Sequence, residues 1–138
     1  MQTLYTATAT ATGDGRNGHT ASDDGILDID VRVPKSMGGP GGATNPEQLF
    51  AAGYAACFHS ALKFVAAADK LDVTGTEVSA SVAIGTLPAG GFGLAVELDV
   101  HAPTLARAMA EALVEKAHHV CPYSNATRGN VEVALKVV

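Results

Sequence analysis

Hydrophobic and polar positions alternate along much of this 138-residue chain, and the alternation predicts its strands. From Thr6 to Thr12 alanine and threonine take turns, a period of two that reads as a half-buried strand. The turn Gly13-Asp14-Gly15-Arg16-Asn17-Gly18 follows, with Asn17-Gly18 a hairpin signal, and Asp24-Gly25 marks a second turn. Beyond it Leu27, Ile29, Val31 and Val33 alternate with Asp28, Asp30 and Arg32, a strand with one wet face. Val78, Ala80, Val82 and Ile84 predict the next strand. A hairpin through Pro88-Ala89-Gly90-Gly91 leads into Leu94, Val96, Leu98 and Val100, and Val131, Val133, Leu135 and Val137 close the chain in a final strand.

Two segments switch to helical spacing. Asn45-Pro46-Glu47 opens the first helix with an N-cap, a proline at the first position and an acid in the first turn. It is predicted to run to about Leu71. Gly53 and the alanines between Ala51 and Ala61 make it thin, and three nearly apolar turns from Leu49 predict burial on most sides. The second helix, from about Pro103 to His119, places Leu105, Met109, Leu113, Ala117 and Val120 along one stripe. Cys121-Pro122 ends it, because a residue before proline avoids the α region. Gly38-Gly39-Pro40-Gly41-Gly42 holds neither helix nor strand and reads as a shaped loop that delivers the chain to the first helix. The order of strands, helix, hairpin, helix and strand is that of an α+β fold, in one domain over residues 1–138.

Composition narrows the classes. With 47% hydrophobic and 17% charged residues, the chain can bury one core and is not disordered. A net charge of -5 with no Lys/Arg-rich face argues against a nucleic-acid partner. No apolar run approaching the length of a membrane span stands out, so no membrane partner is expected. The first residues, Met1-Gln2-Thr3-Leu4-Tyr5, lack the basic start of an export signal, and the cytoplasm is the expected location.

Several motifs dissolve on physical grounds. Gly13-x-Gly15-x-x-Gly18 spells a dinucleotide fingerprint, but a turn and a strand follow it where a helix must cradle the pyrophosphate. Asn125-Ala126-Thr127 spells a glycosylation acceptor, which means little without export. His59, His118 and His119 with the two cysteines suggest zinc, yet Cys57 and His59, two apart on a helix, do not share a face. No metal and no cofactor are therefore expected. The cysteines themselves remain. Two in a short chain are too few for a disulfide scaffold. Cys57 lies mid-helix and Cys121 at a helix stop, 64 residues away, so only the fold could bring them together.

The segment Thr44-Asn45-Pro46-Glu47-Gln48-Leu49-Phe50-Ala51-Ala52-Gly53-Tyr54-Ala55-Ala56-Cys57-Phe58-His59, with Cys121-Pro122-Tyr123-Ser124-Asn125-Ala126-Thr127-Arg128-Gly129-Asn130, resembles the organic hydroperoxide resistance (Ohr) proteins of the OsmC-like superfamily. The likeness runs from Leu4-Tyr5-Thr6-Ala7 to the last strand. It implies the OsmC-like fold, antiparallel sheets with two main helices in an intertwined homodimer. It also implies a bacterial thiol peroxidase, with Cys57 as peroxidatic and Cys121 as resolving cysteine and with Arg16 and Glu47 as the supporting pair. The implied substrate is an organic hydroperoxide. The implied reductant is dihydrolipoamide or a lipoylated protein. The first turn departs from the family pattern, since Asp14 splits the usual paired glycines and Asn17 takes the place of an acid.

The chemistry asks for these residue types. An unperturbed cysteine is only about 3% thiolate at pH 7, and burial lowers that fraction, so peroxide cleavage calls for a nearby cation. Of four arginines, Arg32 is expected to point outward and Arg107 to lie on a wet helix face, which leaves Arg16 and Arg128. The resemblance selects Arg16. Glu47 can then anchor its guanidinium bidentately. Glu47 and Cys57, ten residues apart, are separated by about 15 Å on a straight helix. One guanidinium reaches both only if Cys57 belongs to the other subunit or the helix breaks near Gly53. The apolar residues around Cys57, namely Leu49, Phe50, Gly53, Tyr54 and Phe58, are the expected walls for an alkyl chain, each buried methylene contributing roughly 0.8 kcal/mol. The rival readings are a lipid-binding or a redox-sensing dimer whose cysteines are incidental to catalysis.

Overall fold

The computed structural model describes residues 1–138, and the chain divides into two compact units, Met1–Leu49 and Phe50–Val138. The first unit is a meander of three short antiparallel strands, β1 (Ala9–Thr12), β2 (His19–Ser22) and β3 (Asp28–Asp30), in the order β1-β2-β3. The strand expected from Thr6 pairs only from Ala9, and β1 is exposed along its whole length rather than half-buried. The alternation through Val33 likewise stops pairing as β3 at Asp30. Val31, buried, instead bridges in parallel to Thr44 and brings the glycine-rich loop back to the sheet.

The turn between β1 and β2 is more closely held than its glycines suggest. Gly15–Asn17 form one 3-10 turn, closed by the Asn17 N–H donating to the Asp14 carbonyl at 2.9 Å. The Arg32 guanidinium folds back across it, donating to the Gly18 carbonyl at 2.9 Å and to that of Val31 at 2.7 Å. The Asn17 side-chain oxygen accepts from the Val33 N–H at 3.0 Å. Arg32 is therefore a brace for the turn rather than an outward charge. Gly18 is obligatory there, because a Cβ would collide with the Thr12 carbonyl oxygen.

Helix α1 spans Pro46–Ala68. Its start follows the expected chemistry: the Asn45 side-chain oxygen accepts from the Gln48 N–H at 2.9 Å, and the Thr44 hydroxyl donates to Gln48 Oε1 at 2.8 Å. It ends at Ala68, three residues before the expected Leu71, where Lys70 takes φ 55° and the Leu71 N–H returns to the Ala66 carbonyl.

Within the second unit α1 is followed by a sheet of order β4-β5-β6, formed by β4 (Glu77–Thr86), β5 (Phe92–His101) and β6 (Glu132–Val137). β4 and β5 are an antiparallel hairpin, as expected, but β6 runs parallel to β5, a departure from the expected antiparallel sheets. The reason is the long connection: α2 (Arg107–Val120) and α3 (Pro122–Thr127) carry the chain across the sheet before β6 begins, and such a crossover returns a strand in parallel. The register aligns three rows across the sheet, Val82–Val96–Val133, Ala80–Leu98–Leu135 and Val78–Val100–Val137. These face Tyr54, Phe58, Ala61, Leu62, Val65 and Ala66 of α1 and Leu113, Val114 and Ala117 of α2 in one core.

Two expected faces shift. On α2 the buried stripe is Ala110, Leu113, Val114 and Ala117, while Met109 and Val120 are exposed. On α1 burial is confined to one side, and the apolar opposite side, including Ala52, Ala56 and Phe64, faces outward. α1 is also long and apolar enough, by length and composition, to cross a membrane, contrary to the expectation from its sequence, because its alanines outweigh Ser60 and Lys63. Its buried side is nonetheless part of the core just described.

Candidate active site

Cys57 sits in the middle of α1, half-buried, and Cys121 sits fully buried in the residue that separates α2 from α3. Cys121 has φ -61° and ψ 122°, the extended conformation that the following proline imposes, and this break turns its side chain out of the helical path. The Cys121 thiol lies 3.5 Å from Cys57 Sγ, and both cysteines are free. Two sulfurs from positions 64 apart in the chain therefore need to approach by only about 1.5 Å to form a disulfide.

The surroundings of Cys57 do not activate it within its own unit. Burial pushes the Cys57 thiol up, and the backbone N–H of Tyr123 is the one influence that favours its charged form. The adjacent Cys121 adds to the rise, since two thiolates at this distance repel. Lys63, Lys70, Arg107, Lys116, Arg128 and Lys136 supply no positive charge to it. Arg128 is engaged elsewhere, donating to the His118 carbonyl at 2.6 Å and to Asn125 Oδ1 at 2.7 Å, and so caps the end of α2. Of the two arginines left open by the sequence, it is thereby accounted for.

Arg16 and Glu47 meet as expected. The guanidinium donates through Nη1 to Glu47 Oε2 at 2.9 Å and through Nη2 to Oε1 at 2.8 Å, a bidentate fork. This bond holds the Glu47 carboxyl below the usual carboxylate range and raises Arg16 further. Glu47 is largely covered, whereas the Arg16 side chain is 40% exposed and its outer edge is open to a further partner. The split glycines do not hinder the pairing. α1 runs unbroken through Gly53, so the expected alternative of a helix break there is overturned.

The expected apolar walls divide. Leu49, Phe50 and Gly53 are half-buried and accessible. Tyr54 and Phe58 are not walls: both are completely buried and belong to the core, because they lie on the side of α1 that faces the sheet. The aromatic side chain missing from the expected set is Tyr123, which stacks with Phe50 and Tyr54 at centroid distances of 6.0 and 5.6 Å and lies over Gly53. Helix α3, which carries it, is not among the elements expected from the pattern, although Pro122 after a stop is a helix-start signal of the same kind as Pro46. His59, two residues beyond Cys57 on α1, is held by Thr76 Oγ1, 3.0 Å away.

Comparison with known proteins gives the family. Residues 39–136 match the family model described as OsmC-like protein. The chain is 58% identical over 134 residues to the organic hydroperoxide resistance protein of Xanthomonas axonopodis pv. citri, covering 96% of this chain and 93% of that one. A crystal structure of an organic hydroperoxide resistance protein from Elizabethkingia anophelis, with bound thiocyanate, is 56% identical and superposes with a TM-score of 0.95 over 99% of this chain and 98% of that one. The structure of OhrB from Bacillus subtilis, 47% identical, superposes with a TM-score of 0.90 over 99% and 100% of the two chains. With the two cysteines opposed, the bidentate Arg16–Glu47 pair formed and the α+β architecture matched along nearly its whole length, this chain belongs to the OsmC-like superfamily, in its organic hydroperoxide resistance branch.

Proposed function

We propose that this protein protects against organic hydroperoxides as a cysteine-dependent peroxidase acting as a homodimer in the cytoplasm. The observation that carries the reading is the 3.5 Å approach of two free sulfurs, one half-buried and reachable, the other buried behind it. The names of the relatives support the substrate class.

The chemistry follows in three steps. The Cys57 thiolate attacks the terminal oxygen of the hydroperoxide, the O–O bond breaks, and the departing alkoxide takes up a proton to leave as an alcohol. Cys57 is left as a sulfenic acid. The Cys121 sulfur then attacks Cys57 Sγ, the S–O bond breaks, and water departs as the disulfide forms. A dithiol of the dihydrolipoyl class reduces that disulfide through a mixed disulfide and is itself oxidised to the cyclic form.

The first step calls for a cation, since burial disfavours the Cys57 thiolate. In this proposal the Arg16–Glu47 pair of one protomer serves Cys57 of its partner. The pair is preformed, its guanidinium has an open edge, and α1 holds positions 47 and 57 about 15 Å apart along its axis. The same guanidinium can donate to the leaving oxygen, where negative charge develops. Dimer formation is supported by the outward apolar surface, notably Leu4, Tyr5, Phe64 and Phe92.

The test is to mix the reduced protein with cumene hydroperoxide or with hydrogen peroxide and count the remaining thiols against time. Loss of two thiols per chain with the organic oxidant, far faster than with hydrogen peroxide, is the expected result. Thiols that persist in cumene hydroperoxide would overturn the peroxidase and favour a lipid-binding dimer. Equal rates with both oxidants would refute the role of the apolar walls.

A further inference from the structure

Beneath the two cysteines lies a hydrogen-bonded cluster that the chemistry above does not use. Tyr54, Ser124 and Thr127 are all buried, the first two completely. The Tyr54 hydroxyl lies 2.9 Å from Ser124 Oγ and 3.2 Å from Thr127 Oγ1. The Thr127 hydroxyl in turn lies 3.0 Å from the Tyr123 carbonyl and 3.1 Å from that of Ser124. Three hydroxyls offer three hydrogens, and carbonyls only accept. The arrangement that satisfies every group is directional: Ser124 donates to Tyr54, Tyr54 to Thr127, and Thr127 to the backbone of α3.

The positions are telling. Tyr54 precedes Cys57 by three residues on α1, and Ser124 follows Cys121 by three on the other side of the gap. The Tyr54–Ser124 contact thus lies about one helical turn from the Cys57–Cys121 contact and joins the same two segments. α3 has only six residues and cannot sustain itself by helix propensity. Its beginning at Pro122 carries Cys121, so whatever docks α3 on α1 also sets where the second sulfur stands.

We infer that Tyr54, with Ser124 and Thr127, is a positioning residue for the resolving step: the clamp holds Cys121 within reach of Cys57 and so sets how readily the disulfide closes. The inference rests on the proposed peroxidase cycle for its physiological meaning, but its physical content, the effective concentration of one thiol at the other, is measurable without any peroxide. Deleting the Tyr54 hydroxyl leaves two buried hydroxyls short of a partner and frees α3 to drift, an effect of the size of one buried hydrogen bond.

The experiment uses the full-length protein and Tyr54→Phe, which keeps the ring that fills the core, with Thr127→Val as a second variant should the first not fold. Equilibration of the Cys57–Cys121 disulfide with glutathione is the first measurement. We expect the closure constant to fall about tenfold in Tyr54→Phe, a reduction potential about 30 mV higher. Ser124→Ala added to Tyr54→Phe should cost much less than the sum of the two single changes, since both cut the same link. The second measurement is intact mass after a few equivalents of cumene hydroperoxide. The parent should stop at the disulfide, while Tyr54→Phe accumulates the doubly oxygenated sulfinic form. Closure constants equal to the parent's in folded Tyr54→Phe and Thr127→Val would overturn the clamp and leave the peroxidase reading intact. Failure of the parent to react with hydroperoxide would sink that reading and leave the glutathione result to stand or fall alone.

Discussion

Gly53→Ala places a methyl group where Tyr123 lies over α1, and the structure allows its consequence to be worked out. In a helix interior alanine is better than glycine by about 1 kcal/mol. Against this, the new Cβ would stand 3.0 Å from the Tyr123 hydroxyl oxygen and 3.4 and 3.5 Å from Cε2 and Cζ of its ring. Only the contact with the oxygen is too close, and it requires the ring to give by a few tenths of an ångström. Tyr123 is 39% exposed and can swing outward, though at the expense of its stacking on Phe50 and Tyr54. Overpacking of this mild kind costs about 1 kcal/mol, at the lower end of its range. The two terms cancel.

The expected outcome is a melting temperature close to the parent's. Placing the same substitution in a Tyr123→Phe background removes the offending oxygen and leaves ring carbons at ordinary contact distance. There the helical gain should appear in full, a rise of about 4 °C for a domain of this size. The swing also moves the Tyr123 backbone N–H, the one group favouring the Cys57 thiolate within its unit. Alkylation of Cys57 should therefore require a higher pH in Gly53→Ala than in the parent. Both quantities are accessible by thermal unfolding and by the pH profile of iodoacetamide labelling in a Cys121→Ser background. A full stabilisation by Gly53→Ala alone, with an unchanged labelling profile, would refute the packing of Tyr123 on this glycine.

The remaining predictions concern other parts of the molecule. Cys57→Ser should abolish hydroperoxide turnover, whereas Cys121→Ser should allow one turnover followed by overoxidation of Cys57; steady-state rates for Cys121→Ser equal to the parent's would remove its resolving role. Phe64→Glu, at an outward position on α1, should weaken the proposed homodimer in sedimentation and slow the first thiol loss in step with the monomer fraction, and a monomer as reactive as the parent would refute a site shared between protomers. His19 bonds to Asp30 Oδ1 at 2.9 Å and Asp28 Oδ1 at 2.7 Å, which raises its pKa and requires the imidazolium to satisfy both. Its contribution to the meander is complete below its ordinary pKa of about 6.5 and is lost as pH rises through the raised folded value, while that of Glu47, whose pKa Arg16 depresses, is complete above the ordinary carboxylate range and lost as pH falls through the folded value. Amide protection in β2 and β3, taken relative to intrinsic exchange at each pH, should accordingly fall toward alkaline pH in the parent and not in His19→Asn, and a parent profile identical to that variant's would eliminate the His19 linkage.

What was legible in the sequence follows from how local each signal is. The Asn45 cap, the Cys121-Pro122 break and the Pro88–Gly91 hairpin depend on a few neighbouring residues, and they formed as expected. The Arg16–Glu47 pair was reached through the resemblance and not through its spacing. What escaped depended on partners distant in the chain. Arg32 reads as an outward charge by alternation, yet the Asn17 and Gly18 carbonyls of the first turn and the Val31 carbonyl accept from it. Tyr54 and Phe58 read as groove walls because they neighbour Cys57 in sequence, but their positions around the helix face the sheet. The parallel placement of β6 has no signature in its alternation, since the pattern Val131, Val133, Leu135, Val137 suits either direction. The stripe on α2 slipped by a position, in part because alanine carries a weak hydrophobic signal: Ala110 and Val114 are buried where Met109 and Val120 are not.

Two features that look like defects in a single chain have one remedy. The thiol that must react is disfavoured as a thiolate by its own burial, with only a backbone N–H in opposition. The helix that carries it leaves an apolar side uncovered, and the first strand is exposed along its length, as are Leu4 and Tyr5 before it. An apolar surface of this kind is covered when a second copy docks, and docking excludes water from whatever lies beside it. Excluding water raises the cost of an unpaired thiolate and at the same time strengthens its attraction to a guanidinium. A dimer that covered Cys57 without bringing a cation would therefore be less reactive than the monomer. One that brings the Arg16–Glu47 fork, already oriented and with an edge free, turns the burial that disables the thiol into the condition under which a single positive charge acts most strongly. In the proposed assembly, association and activation are the same event.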